Sequence, residues 1–80
     1  MKQQYYEGMH GRLVPVKSAK RFKDGNHWMV RAVVSRDNGS YPKGGILRFP
    51  PNYLVEKSDK KKGPFLLVRT IPLDDIPLLG

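Results

Sequence analysis

Apolar and polar residues alternate with a period of two in several short runs, and no stretch of useful length follows the 3.6-residue period of a helix. The strongest run spans residues 27–36, where one predicted face is apolar and consists of Trp28, Val30, Ala32 and Val34. The opposite face is mixed and consists of Met29, Arg31, Val33 and Ser35. Alternation of this kind is typical of a strand with one face in the core, so the pattern predicts a half-buried β-strand.

Four further segments are predicted to be extended, because β-branched and aromatic residues are frequent in them: 12–19, 46–49, 52–57 and 65–71. Residues typical of turns, such as Gly, Pro, Asp and Asn, separate these segments. Pro15 confines the first segment to a sheet edge or a bulge, since proline has no backbone N–H to donate. About five short strands at this spacing predict an all-β barrel or roll.

A chain of 80 residues forms one domain, and its core must be compact. Most of that core is predicted to come from the apolar residues of the strands: Leu13, Val16, Trp28, Val30, Ala32, Val34, Ile46, Phe49, Val55, Leu66 and Val68. Residues 1–10 are predicted to be a flexible or edge segment and residues 11–70 the single β-domain. Residues 71–80 are predicted to be an irregular tail, because Pro72 and Pro77 exclude regular helix and central strand there.

Two stretches share a pattern with a known family. The first reads Asp24-Gly25-Asn26-His27-Trp28-Met29-Val30-Arg31-Ala32, and the second reads Gly45-Ile46-Leu47-Arg48-Phe49-Pro50-Pro51-Asn52-Tyr53-Leu54-Val55. They resemble the SH3-domain patterns E-G-D-W-W-L-A-R-S and G-Y-I-P-S-N-Y-V, and Gly11-Arg12-Leu13 resembles the G-E-x-L that opens an earlier SH3 strand. The resemblance covers about residues 11–57. It implies a small SH3-like barrel or roll in which a short helical turn presents Pro50, Asn52 and Tyr53 to a ligand.

The departures from the SH3 pattern concern that ligand. His27 stands where the family has the first Trp of its W-W pair, which packs on a proline-rich peptide. The A-L-Y-D-Y strand has only a partial counterpart in Tyr5-Tyr6-Glu7, and the acidic loop after it has none, so residues 65–71 could fill the place of the missing strand. The family's acidic loop pairs with an Arg of the peptide, whereas this chain is cationic. The resemblance therefore supports the fold and argues against the usual ligand.

Charge is the strongest signal of the composition, with fifteen Lys and Arg against seven Asp and Glu, a formal net charge of +8 and an isoelectric point near 10.1. Asp74 and Asp75 lie in the cation-free last ten residues, so residues 1–70 carry fifteen cations and five acids, a net +10. A field of this sign attracts polyanions and raises their rate of encounter. It predicts a polyanionic or acidic partner.

Several other classes of function lack support. The chain has no Cys, and two histidines, His10 and His27, are too few to hold a metal without carboxylates, so no cofactor or metal is expected. No catalytic triad, catalytic carboxylate pair or phosphate-binding glycine loop stands in a recognisable context, which predicts a protein that is not an enzyme. No stretch approaches the roughly 20 apolar residues of a membrane span and no signal peptide is present, so we expect no membrane association and a cytoplasmic location, or a nuclear one in a eukaryotic host.

Basic residues interleave with aromatic residues in the predicted turns and on the mixed face of the strongest strand. They predict binding of nucleic acid, DNA or RNA, with little sequence preference, because cations displace counterions from phosphates and aromatic faces stack on exposed bases. The predicted phosphate contacts are Lys17, Lys20, Arg21, Lys23, Arg31, Arg36, Lys43, Arg48, Lys60, Lys61 and Lys62. Tyr53 and Trp28 are the predicted stacking residues, although Trp28 leads an apolar face that favours the core. The Lys60–Lys62 run can equally be a solvated hairpin tip.

The alternative is a protein–protein interaction module. Residues 71–79 mix apolar and acidic side chains as short docking peptides do. A compact basic domain also resembles, in size and style only, the small inhibitors with which phages bind acidic host proteins. An edge around Pro15, or the last strand, could pair between two chains to form a homodimer. We further expect Asp74 and Asp75 to lie against the basic body, and truncation after Thr70 to leave the fold intact.

Overall fold

Six antiparallel strands form one sheet in the part of the chain that the structure describes. The computed structural model describes residues 3–39, 41–62 and 65–80, and the side chains of all of these except 58–62 and 65–67. The strands are β1 (Gln4–Glu7), β2 (Leu13–Asp24), β3 (His27–Val34), β4 (Ile46–Phe49), β5 (Leu54–Lys62) and β6 (Phe65–Thr70). Their order in the sheet is β4-β3-β2-β1-β5-β6. The predicted all-β class is confirmed, with one strand more than expected.

The connections between the strands are compatible with a small SH3-like barrel. β2, β3 and β4 form an antiparallel meander, and β5 returns to pair with β1. A single 3-10 turn, Pro51–Tyr53, links β4 to β5. It lies where the SH3 resemblance implies a short helical turn.

The N-terminal segment lies inside the sheet, which corrects the prediction of a flexible or edge segment for residues 1–10. β1 pairs with residues 13–16 of β2 on one side and with residues 54–56 of β5 on the other. Tyr5 on this strand is buried, with 6% of its surface exposed. β1 therefore occupies the place that was expected for residues 65–71, and β6 instead extends the sheet beyond β5.

Pro15 lies in β2, an interior strand, and not at a sheet edge or in a bulge as predicted. Its carbonyl oxygen accepts a hydrogen bond from the backbone N–H of Ser35 at 3.0 Å, one residue beyond the end of β3. The N–H and C=O of a strand residue point to the same side, so the missing N–H of Pro15 faces this strand end. The proline therefore removes no hydrogen bond from the β1–β2 ladder.

The core lies on the inner face of β3. The alternation predicted for residues 27–36 is confirmed, because Val30, Ala32 and Val34 are each 0% exposed. Residues of β2, β4, β5 and the tail pack against them to complete the buried cluster: Val14, Val16, Ala19, Phe49, Leu54, Ile71 and Ile76. Burial of each large apolar side chain stabilises the fold by roughly 1.5–3 kcal/mol.

The predicted core was correct for Val30, Ala32 and Val34 and less so elsewhere. Val16, Phe49 and Val55 are buried as predicted. The predicted core residues that are half-buried or exposed are Leu13, Trp28, Ile46 and Val68. Ile46 is exposed because it pairs with Val33, which points to the outer face of β3. Leu66 lies outside the described side chains.

A β-bulge divides β2 into two parts. Lys17 and Lys20 are opposite Val33 and Arg31, so the two residues between the lysines face a single residue of β3. Ser18 in this bulge has a φ of 56°, in the left-handed region. The extra residue brings Lys17 and Lys20 to the same face of the sheet, whereas an unbroken strand would place them on opposite faces.

The tail is packed into the fold, which argues against the expectation that truncation after Thr70 leaves the fold intact. Ile71 and Ile76 are 5% and 2% exposed and belong to the buried cluster. Between them the chain forms a 3-10 turn, Leu73–Asp75. The tail is irregular as predicted, yet its two isoleucines complete the core.

The tail also covers the edge of β2 that β1 leaves free. The backbone N–H of Arg21 donates to the carbonyl oxygen of Pro77 at 2.7 Å, and the N–H of Leu79 donates to the carbonyl oxygen of Arg21 at 2.9 Å. Asp74 approaches the basic body as predicted, with 4.0 Å between its Oδ1 and Nη1 of Arg21. Asp75 is exposed and forms no ion pair within the described part of the chain.

Candidate functional site

Three cations of neighbouring strands lie directly opposite one another on the outer face of the sheet. Lys20 of β2 pairs with Arg31 of β3, and Arg31 pairs with Arg48 of β4. Directly opposite residues point their side chains to the same face, so these three form a row across the strands. The bulge turns Lys17 to this face as well. We call Lys17, Lys20, Arg31 and Arg48 the cationic face.

The cationic face carries an excess of unneutralised charge. Neighbouring strands lie about 4.8 Å apart, so the Cα atoms of Lys20 and Arg48 are separated by roughly 10 Å. Among the residues that the structure describes, no ion pair involves any of the four cations. Asp24 points to the same face, so the four cations and this one acid leave an excess of three positive charges.

Apolar side chains flank the row of cations on both sides. Phe22 pairs with Met29 on the side of the β2–β3 turn, and Val33 pairs with Ile46 on the other side. Ile46 is 52% exposed, and the other three are half-buried. Residues on one face of a strand are two positions apart, about 6.8 Å, so each apolar pair lies roughly 7 Å from the cations. The face therefore combines positive charge with accessible apolar surface.

A groove of about 450 Å³ opens on this face beside the row of cations. Its lining combines apolar, cationic and acidic side chains: Phe22, Asp24, Met29, Arg31, Arg48 and Leu79. Leu79 comes from the tail and is held there by its backbone hydrogen bond to Arg21. Chemically, such a groove suits a ligand that carries both an anionic group and a flat apolar group.

Arg21 and Lys23, two of the predicted phosphate contacts, point to the face opposite the cationic face. Lys23 pairs directly with Trp28, and Arg21 pairs with the buried Val30. The guanidinium carbon of Arg21 lies 4.9 Å from the ring centroid of Trp28, and Nζ of Lys23 lies 5.2 Å from it, both within cation–π range. We call Arg21, Lys23 and Trp28 the Trp28 cluster. Both cations of the cluster contact the Trp28 ring, and Arg21 in addition lies 4.0 Å from Asp74.

Arg36 and Lys43 lie in the loop between β3 and β4. The side chain of Asp37 orders this loop, because its Oδ1 accepts a hydrogen bond from the backbone N–H of Lys43 at 2.7 Å. The side chains of Arg36 and Lys43 are exposed. Neither residue takes part in the strand register that aligns the cationic face.

The remaining predicted site residues lie elsewhere. Tyr53 is 43% exposed, as predicted, and its ring lies 6.5 Å from that of Tyr6 in an edge-on contact. Tyr6 in turn packs on Phe49, with 4.6 Å between ring centroids. Lys60–Lys62 form the end of β5, and their side chains lie outside the described part of the structure.

Phe22 and Met29 belong to the groove but were absent from the predicted site. A signal for both was present, because Phe22 follows Lys20 by two residues and Met29 precedes Arg31 by two. In a strand this spacing places each apolar residue on the same face as its cation.

No protein-family model, curated protein or solved structure matches the chain. In the described ranges, no helix has the length and apolar character needed to cross a membrane. The same part of the chain contains no group of three or more His, Asp or Glu side chains placed to hold a metal ion. The function is therefore inferred from the chemistry of the cationic face itself.

Proposed function

We propose that the protein is a non-enzymatic binding domain that binds nucleic acid, DNA or RNA, through the cationic face with little sequence preference. The observation that carries this proposal is the alignment of Lys20, Arg31 and Arg48 across three strands, with Lys17 beside them and no ion pair to any of the four among the described residues. Cations left unpaired on one face are free to contact an external anion.

A nucleic-acid backbone suits this face better than a single small anion does. Phosphates repeat along a strand, so several can meet cations that are distributed over about 10 Å. Each contact releases condensed counterions, which is the main source of sequence-independent affinity. Arg31 and Arg48 add bidentate hydrogen bonding to phosphate oxygens. The half-buried Phe22 beside them offers a ring for stacking.

The SH3-like scaffold fits this proposal, although the usual SH3 ligand does not. The strand order and the turn Pro51–Tyr53 support such a scaffold. A peptide that presents Pro and Arg would meet an excess of positive charge and would be repelled. His27 also stands where a peptide-binding Trp would be needed.

The test compares two double variants that remove the same charge. Lys20→Gln/Arg48→Gln removes two cations from the cationic face, and Arg36→Gln/Lys43→Gln removes two from the β3–β4 loop. Binding of labelled single-stranded and duplex oligonucleotides is measured by fluorescence anisotropy at several salt concentrations. We expect the first variant to bind more weakly and to flatten the slope of log affinity against log salt by about 1.4 on single strands or about 1.8 on duplex DNA. The loop variant should retain most of the wild-type slope.

Two outcomes would contradict the proposal. An equal loss in both variants would mean that net charge alone, and not the cationic face, governs binding. Affinity that does not change with salt, or no binding at low salt, would favour a protein partner bound through apolar contacts, which salt does not screen.

A further inference from the structure

The groove on the cationic face has chemically different ends. Arg31 and Arg48 lie at one end, the Phe22–Met29 pair forms the middle, and Asp24 lies at the other end. Along the strands these are successive positions of one face, so they follow each other at intervals of about 6.8 Å. A ligand that fits all three positions would carry an anion, a flat apolar ring and a hydrogen-bond donor, in that order.

An unpaired nucleotide has this order of groups, and a base pair in a duplex does not offer it. In a duplex the bases stack on each other and the phosphates face outward, so the faces of the bases cannot reach Phe22 and Met29. In a single strand the phosphate can lie at Arg31 and Arg48 while the base lies on the apolar pair. Leu79 of the tail borders the groove and limits the space beside the base.

The carboxylate of Asp24 would affect both the orientation of a bound nucleotide and the choice of its base. Its side chain is exposed and forms no ion pair within the described residues. A carboxylate repels a phosphate, so it disfavours a nucleotide bound in the reverse direction. It accepts a hydrogen bond from an exocyclic amino group, which cytosine, adenine and guanine possess. Thymine presents O4, an acceptor, and has no such donor.

We propose that this groove binds one unpaired nucleotide of a single strand, with its phosphate at Arg31 and Arg48, its base on Phe22 and Met29, and an amino group of the base at Asp24. This inference rests on the proposed function and specifies its ligand. Single strands are bound in preference to duplexes, and strands of amino-bearing bases are bound in preference to oligo(dT).

The experiment measures the affinity of the full chain for oligo(dC) and oligo(dT) of equal length, at one salt concentration and neutral pH. A charge-assisted hydrogen bond at a solvent-exposed site predicts a preference for oligo(dC) of about fivefold or more. Asp24→Asn should reduce this preference to within about twofold and should raise the affinity for oligo(dT), since the amide can donate to thymine O4 as well as accept. Asp75→Asn removes the same charge from an exposed tail position and should leave the preference unchanged.

A second variant tests the stacking surface. Phe22→Leu keeps an apolar side chain in a half-buried position, which protects the fold, but it removes the flat ring. We expect single-stranded binding to weaken about fivefold or more, with duplex binding and the salt slope unchanged.

The outcomes separate this inference from the proposed function. Equal affinity of the wild type for oligo(dC) and oligo(dT), or an unchanged preference in Asp24→Asn, overturns the inference. The proposed function still stands in that case if binding depends on salt. The inference is also overturned if the protein binds duplex more tightly than single strands and Phe22→Leu does not change this preference. If the wild type shows no salt-dependent binding of any oligonucleotide, the proposed function itself is overturned.

Discussion

Lys20 and Arg21 are adjacent in β2, yet the structure gives their charges different surroundings. Lys20 points to the cationic face, where its direct neighbour is a second cation, Arg31. Arg21 points to the other face, where its guanidinium lies over Trp28 and near Asp74. Both regions combine cations with an aromatic ring. The difference is that the cations of the cationic face form no ion pair among the described residues, whereas those of the Trp28 cluster contact the ring of Trp28.

This comparison shows that a count of basic residues overstates the charge available to a ligand. The Trp28 cluster includes two of the predicted phosphate contacts, but its ring and its cations face each other. Cation–π contacts of this kind contribute about 0.5–1 kcal/mol each to stability at exposed sites. Strand register decides which cations remain free, and in β2 the bulge at Ser18 sets that register.

The largest effect is expected at the tail, which borders both regions. Ile76 is 2% exposed in the buried cluster, so Ile76→Ala leaves a cavity and should lower the free energy of unfolding by about 2–5 kcal/mol. Leu78→Ala is the matched control two residues away, because Leu78 is 59% exposed. Its effect should stay within about 0.5 kcal/mol. Urea denaturation followed by circular dichroism measures both.

Equal destabilisation by the two tail variants would contradict the packing of Ile76. If Ile76 is packed as described, truncation after Thr70, which removes both Ile71 and Ile76, should lower the free energy of unfolding more than either substitution does. A truncated chain with wild-type stability would show that the tail is dispensable and would restore the prediction made from the sequence.

A smaller effect is expected at the bulge that aligns the cationic face. Ser18 is exposed and has a φ of 56°, so changes there act through the backbone and not through packing. Ser18→Val places a β-branched residue in the left-handed region and should lower the free energy of unfolding by about 1–2 kcal/mol. Ser18→Gly accepts this conformation and should stay within about 1 kcal/mol of the wild type. Thermal denaturation of the wild type and the two variants measures both effects. If Ser18→Gly destabilises the protein as much as Ser18→Val does, a bulge with positive φ at this position is contradicted.

The sequence was most informative where a pattern was long. Residues 27–36 alternate over ten positions, and the resulting assignment of Val30, Ala32 and Val34 to the core was correct. β1 has four residues, too few for an alternation to stand out, and its place inside the sheet depends on its pairing with β5, which is distant in the chain. Ladder partners at such separations leave no local signal.

The candidate site illustrates the same limit. All four cations of the cationic face were among the predicted contacts, but the predicted strand ended at residue 19, so no alternation separated Lys20 from Arg21 and Lys23. That Lys17 shares a face with Lys20 depends on a bulge whose left-handed residue is Ser18, and serine, unlike glycine, does not mark such a position. Likewise Ile71 and Ile76 stand among prolines, which indicate irregular structure but not whether that structure is packed.

The smallest change tests the comparison of Lys20 with Arg21 directly. Lys20→Gln and Arg21→Gln each remove one positive charge from neighbouring positions of one strand, so net charge is matched. Lys20→Gln should flatten the slope of log affinity against log salt by about 0.7 on a single-stranded oligonucleotide, the contribution of one phosphate contact. Arg21→Gln should leave that slope unchanged and instead lower the free energy of unfolding by about 0.5–1 kcal/mol, through loss of the contact with Trp28. Oligonucleotide titrations at several salt concentrations and urea denaturation of both variants separate the two effects. If Arg21→Gln flattens the slope as much as Lys20→Gln does, the Trp28 cluster also contacts phosphate, and the bound strand must extend beyond the cationic face.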